Sequence, residues 1–299
     1  MTMKYRQALC WLVPLIGILA LLAASAGLFW SSDGPPYQFT SSRGESVTLM
    51  GSGLYRYDTV SIAAQEQATD VITLLLGLPL LIVSAWLALR GSLRGLLLLT
   101  GTLGYMLYTY MSMTFLTAYN QLFLVYVALF SLSLFAFILA MLSFNLAELP
   151  QHFSTHLPRR SIAGVLFLAG TFLLLAWLGR IVPALLHGQT PALENLTTLG
   201  IQAMGLGLIV PLSFLAGILL LRRNPWGYLL ASVAVMKILT LGAAVSTMGF
   251  NMLRVGVATS GVELLIFPAL TLANLVLAIL LLKNVQAVET QDVASLHPL

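Results

Sequence analysis

Of the 299 residues, 59% are hydrophobic and 8% charged, and a mean hydropathy of +0.95 would leave a soluble domain with large apolar patches facing water. An ordinary soluble protein is excluded, and lipid is the expected solvent. The formal charge of +4 does not read as nucleic-acid binding, because the basic residues sit in scattered pairs rather than on one surface.

A hydrocarbon core of about 30 Å takes roughly 20 apolar residues per helix. Such runs fall near 8–30, 71–89, 95–118, 122–146, 161–186, 198–221, 226–249 and 262–282. They predict an all-α transmembrane bundle of eight helices forming one integral membrane domain over 1–299. With the N-terminus inside, the cytoplasmic segments hold Lys4, Arg6, Arg90, Arg94, Arg159, Arg160, Arg222, Arg223 and Lys283. The outer segments hold only Arg43, Arg56 and Arg254. This bias alternates at every loop and places both termini in the cytoplasm.

The first run, with Lys4 and Arg6 before it and Ala24-Ser25-Ala26 inside it, imitates a signal peptide. It is too long for a typical signal core and continues to Phe29-Trp30, so it reads as an uncleaved anchor with an interfacial aromatic end. Cys10, the single cysteine, lies within it and excludes an intramolecular disulfide.

The extracytoplasmic insertion 31–70 has room for a small fold. Tyr37 to Thr40 and Ser46 to Met50 are β-prone runs around a polar turn, a hairpin reading. Asp58 can cap a helical segment, Thr59 to Thr69, expected to lie on the membrane face before the second helix. Together they read as a lid or a passive cover.

Several polar groups gather toward the outer side. Asp70 opens the second helix, Asn120 and Gln121 close the third, Arg180 lies near the outer end of the fifth with an acid such as Asp70 or Glu263 as its expected partner, Gln202 starts the sixth and Glu263 starts the eighth. They are expected to form a mouth with Tyr55, Arg56 and Asp58 of the insertion. Asp70 and Glu263 also suit helix N-termini, where a carboxylate caps free amides. At mid-depth, the third helix carries a polar stripe with Tyr105 and Tyr108, and the seventh carries Lys237. A lysine there costs about 2.5 to 3.5 kcal/mol on insertion scales, so it should face the bundle interior. The tyrosines are its expected neighbours, unless they merely pack between helices.

Sliding the chain by 132 residues superposes the second and third helices on the sixth and seventh. Asp70 meets Gln202, Pro79 meets Pro211, Arg90 meets Arg222, Gly95 meets Gly227, Thr100 meets Ser232, and Tyr105 meets Lys237. The halves 1–147 and 161–283 then read as a 4+4 parallel internal repeat about an axis along the membrane normal. Chance alignment of apolar helices is the competing account. Pro14, Pro79, Pro211 and Pro268 each remove a backbone donor and are expected to kink their helices toward protein rather than lipid.

The stretch Gly53 to Asp58, the Ala- and Gln-containing segment to Asp70, and Ala118 to Phe123 resemble a family of uncharacterised prokaryotic membrane proteins. The resemblance points to a prokaryotic cytoplasmic membrane and carries no known activity.

The four histidines, His152, His156, His187 and His297, lie in loops or the tail, so no haem pair forms in the bundle, and no metal site or cofactor is implied. Phosphate-loop, zincin and nucleophile-elbow motifs are absent. The leading expectation is therefore a transporter-like protein moving or binding a small solute or ion through an outward-facing polar cavity. The alternative is a noncatalytic sensor, scaffold or assembly partner acting through its outer loop or its cytoplasmic tail, 284–299. An enzyme using Asp58, Asp70 and Glu263 ranks third. Expected partners are the lipid bilayer, an unknown small solute or ion, and a homo-oligomeric or other membrane-protein neighbour across small residues such as Gly200 to Gly207.

Overall fold

The computed structural model describes residues 3–259 and 261–286, apart from the side chains of Val262 and Glu263. The expectations for Glu263 and for tail residues 287–299 therefore lie outside the described residues. Among the described residues there are eight long helices: α1 Arg6–Phe29, α2 Val60–Leu89, α3 Leu93–Leu116, α4 Phe123–Met141, α5 Arg159–Leu186, α6 Gly200–Leu221, α7 Pro225–Arg254 and α8 Gly261–Lys283. Seven are long and apolar enough to cross a membrane. The remaining one, α3, has 24 residues but is enriched in Tyr, Thr and Gly, because it is enclosed by other helices rather than by lipid. Large apolar side chains such as Trp11, Leu75, Leu124, Leu186 and Leu265 point outward. The chain is a multi-pass integral membrane protein, and these side chains meet the bilayer.

Each helix packs on its neighbour in sequence, α1 on α2 on α3 on α4, and α5 on α6 on α7 on α8. The two sets join where α7 packs against both α2 and α3. A glycine sets the α3–α7 distance: a Cβ on Gly101 would lie 2.4 Å from the Met236 Cβ. Gly104 stands one turn on, with its Cβ position 3.8 Å from Val233. In addition α1 packs against α4, whereas α5 and α8 meet through the Phe172 and Phe267 rings, 5.8 Å apart.

Local geometry recurs along the chain. A π turn occupies Thr73–Gly77 in α2 and another occupies Gly205–Ile209 in α6, a constant offset of 132 residues. Each comes shortly before a proline, Pro79 or Pro211, whose ring would clash with the carbonyl four residues earlier in a regular helix. The wider i to i+5 turn relieves that clash and re-pairs the backbone, through Leu78 N–H to Thr73 and Val210 N–H to Gly205. The α2–α3 turn places Gly91 at φ +81°, and the α6–α7 turn places Arg223 at +57° in the same register. Gly95 and Gly227 follow, and a Cβ at either would lie 2.4 or 2.3 Å from atoms of the preceding helix. Thr100 and Ser232 return their hydroxyls to the carbonyls of Leu96 and Tyr228.

Between α1 and α2, the strands β1 Tyr37–Thr40 and β2 Ser46–Leu49 pair antiparallel with Tyr37 opposite Leu49. One local expectation is overturned. The segment from Val60 does not lie apart from the second helix but is its first three turns, with Ala63, Ala64 and Ala68 buried against α1 and α7. Alanine lets backbones approach closely, so this polar-looking segment packs inside the bundle. At the opposite end, Arg94 donates to the Val285 carbonyl at 2.6 and 3.0 Å, and Gln286 N–H donates to His152.

Gly227→Ala forces a methyl into backbone of α6 and is expected to cost about 1 to 3 kcal/mol. Gly164→Ala, with nothing within 4 Å of the new Cβ, is expected to leave stability unchanged or raised. Unfolding midpoints of the purified protein in detergent check both.

Candidate functional site

Thr59 caps α2, its hydroxyl accepting from the Ile62 amide at 3.2 Å and donating to the Glu194 carboxylate. This capping turn draws Asp58 inward. Asp58 is 1% exposed, and its Oδ1 accepts from the Ala118 amide at 2.9 Å. The Glu66 carboxyl lies beside it, with Thr117 close by. Asp58 Oδ2 and Glu66 Oε2 are both buried without a hydrogen-bond partner.

Asp70 follows Glu66 by one helical turn on the same face. It is buried within α2 rather than opening it, so it does not cap a helix end. Tyr55 O–H donates to its Oδ2 at 2.6 Å. Gly27 of α1 makes room for that pair, since a Cβ there would lie 1.8 Å from Asp70 Oδ2 and 2.6 Å from the Tyr55 oxygen. Tyr126 stacks on Tyr110 with ring centroids 6.4 Å apart, and its hydroxyl is buried and unpartnered. Deeper still, the hydroxyls of Thr73 and Tyr105 are 2.8 Å apart, and Gly77 leaves room for the Tyr105 ring.

Lys237 is 4% exposed at the other end of this column. Its Nζ lies 3.9 Å from the centroid of the Tyr108 ring and 5.6 Å from that of Tyr105. Aromatic faces carry negative charge density and attract an ammonium, the more so where water is excluded. The structure thus brings Lys237, Tyr105 and Tyr108 together, and separately Asp58, Asp70 and Tyr55.

The remaining residues of the expected mouth do other things. Asn120 turns the α3–α4 connection, accepting from the Leu122 amide at 2.9 Å. Gln202 is buried in α6. Arg180 is exposed and donates to the Ala192 carbonyl at 2.6 Å, tying α5 to the loop that follows it. Arg56 stacks over the Tyr57 ring at 4.8 Å. Above the acids the two long loops clasp: Leu193 N–H donates to Glu45, Asn195 to the Tyr57 carbonyl, and Thr59 to Glu194.

Glu66, Tyr110, Tyr126 and Asn274 escaped sequence reasoning. Glu66 was legible in principle, since four residues separate it from Asp70. Asn274 is a lone amide in an apolar helix; its Nδ2 donates to the Val235 carbonyl at 2.7 Å and its Oδ1 is buried without a partner. Among the described residues no three His, Cys, Asp or Glu side chains are grouped so as to hold a metal ion.

Burial pushes the Asp58 carboxyl from 3.8 up to about 6, against the downward pull of the Ala118 amide and of Glu66. The folded state holds this proton longer than the unfolded chain does. Its contribution is therefore favourable below about pH 4 and is lost as pH rises through about 6. Asp58→Asn keeps an acceptor for Ala118 and removes the charge. It is expected to exceed the parent by about 2 kcal/mol at pH 7.5 and to match it at pH 4, measured by unfolding in detergent. No protein-family model, curated protein or solved structure matches this chain.

Proposed function

We propose that this protein is transporter-like, moving or binding a small solute or ion along the polar column between two four-helix halves. The observation that carries the reading is Lys237 held against Tyr105 and Tyr108 at the α3–α7 contact, with Thr73, Asp70, Glu66 and Asp58 continuing the column toward the clasped loops. Buried ionisable groups inside a membrane bundle are costly, and substrate or proton pathways are where such groups are retained.

The 4+4 parallel repeat is part of the same proposal. Support comes from the π turns, the left-handed turn residues, the glycines and the hydroxyl bonds that coincide at the 132-residue offset. The α3–α7 contact adds a stronger argument. At that offset Gly101 corresponds to Val233 and Gly104 to Met236, and the close pairs are Gly101 with Met236 and Gly104 with Val233. Such reciprocity is the signature of a two-fold axis. Lys237 and Tyr105 are then equivalent positions on either side of it. The bias of basic residues orients the Arg90, Arg159 and Arg222 end toward the cytoplasm of a prokaryotic cell and the clasped loops outward.

A second reading, the noncatalytic sensor or scaffold, is favoured by one observation: Lys237 is 4% exposed, and neither the arginine-lined cleft at Arg159 and Arg223 nor the small apolar cleft at Val13 and Ala85 reaches it. Lys237→Cys in a Cys10→Ser background separates the two. Labelling by a small aqueous thiol reagent from the loop side of oriented vesicles is the transporter outcome, while full protection with reactive outer-loop controls is the scaffold outcome. Stability supplies an independent check. Lys237→Met, which relieves the buried ammonium, is expected to stabilise the protein by about 2 kcal/mol. A lysine kept for packing alone would lose stability instead.

A further inference from the structure

We propose that the arginine-lined cleft between the start of α5 and the end of α6 binds the phosphate of an anionic phospholipid headgroup. The cleft is open, has a volume of about 410 Å³, and is lined by Arg159, Arg160, Ser161 and Arg223 with Leu157 and Leu221. Among the described residues no carboxylate lines it. Arg159 is fixed by a 3.1 Å bond from its guanidinium to the Tyr228 oxygen, and the first turn of α5 carries no side-chain cap on its free amides. Guanidinium groups and free amides together form an anion receptor suited to phosphate oxygens.

Arg223 is the pointed feature. It adopts φ +57°, a left-handed conformation that glycine enters without penalty and that costs any residue with a Cβ. In the same register of the first half the residue is Gly91, at φ +81°. The second half thus accepts backbone strain where it lines the cleft with a guanidinium, and strain of that kind marks sites where a side chain is needed. A second cleft, of about 60 Å³ between α1, α2 and α3, is lined by apolar residues such as Val13, Pro14, Ala85 and Leu89.

A lipid is the source the surroundings favour. The cleft lies at the ends of two membrane-spanning helices, where headgroups reside, and basic pockets between such helices suit anionic headgroups. Leu221 at its mouth is 45% exposed, and Leu168 further along α5 is 57% exposed, an apolar surface for an acyl chain. The comparison of Arg223 with Gly91 rests on the repeat put forward above, whereas the lining of the cleft does not.

The test is the unfolding midpoint of the full-length protein in neutral detergent, titrated with dioleoylphosphatidylglycerol, dioleoylphosphatidylcholine or inorganic phosphate. The expected result is a saturable rise with phosphatidylglycerol alone. Arg160→Ala and Arg223→Gly should each weaken its apparent affinity about fivefold. Arg223→Gly should do so without lowering the lipid-free midpoint, because glycine suits that φ. No response to phosphatidylglycerol, an equal response to phosphatidylcholine, or an undiminished response in both variants would overturn the proposal. A full response to inorganic phosphate would overturn the lipid source.

Discussion

The close approach of α3 and α7 is the contact on which the rest of the structure depends. Lipid is as apolar as leucine, so helices in a bilayer gain little from hiding apolar surface and associate where backbones fit closely. Gly101 against Met236 supplies that fit. It joins the first four helices to the last four, encloses α3 enough that tyrosines and threonines can populate it, and sets Lys237 over the rings of Tyr105 and Tyr108.

The same economy of backbone governs the prolines. Pro79 and Pro211 each follow a π turn that re-pairs the backbone within its own helix, as the absence of water requires. The π turn also moves side chains around the axis of α2. Thr73 and Gly77, inside that turn, are the residues that meet Tyr105. Helix irregularity and polar column are thus one feature.

Charge is segregated within the column. The lysine rests on aromatic faces at mid-bundle, while the carboxylates lie under the clasped loops, where Asp58 and Glu66 each leave an oxygen unpartnered. Among the described residues no direct ion pair joins Lys237 to these acids, which lie at separate levels of the bundle. The clasp of Glu194 and Asn195 on Thr59 and Tyr57 joins the α5–α6 loop to the connection preceding α2.

Hydropathy by itself determined the membrane class, the eight helices and their approximate spans, because about 20 consecutive apolar residues have no other stable environment. The prolines, glycines and polar positions at the 132-residue offset were also legible, since each is a local backbone requirement written in residue type. That Lys237 should face protein is legible from its place within an apolar run, whereas its nearness to Tyr105 is legible only through the 132-residue register. Only the tertiary structure decided that Val60 begins the second helix, because Glu66 and the glutamines disguise a segment whose alanines pack on α1 and α7. It alone decided that Asp70 is buried against Tyr55, that Glu66 joins Asp58, and that Arg180 serves a loop instead of the acids. Those outcomes depend on which helix faces which. Rotation of a helix about its axis is set by packing with distant parts of the chain, and no local pattern in an apolar sequence specifies it.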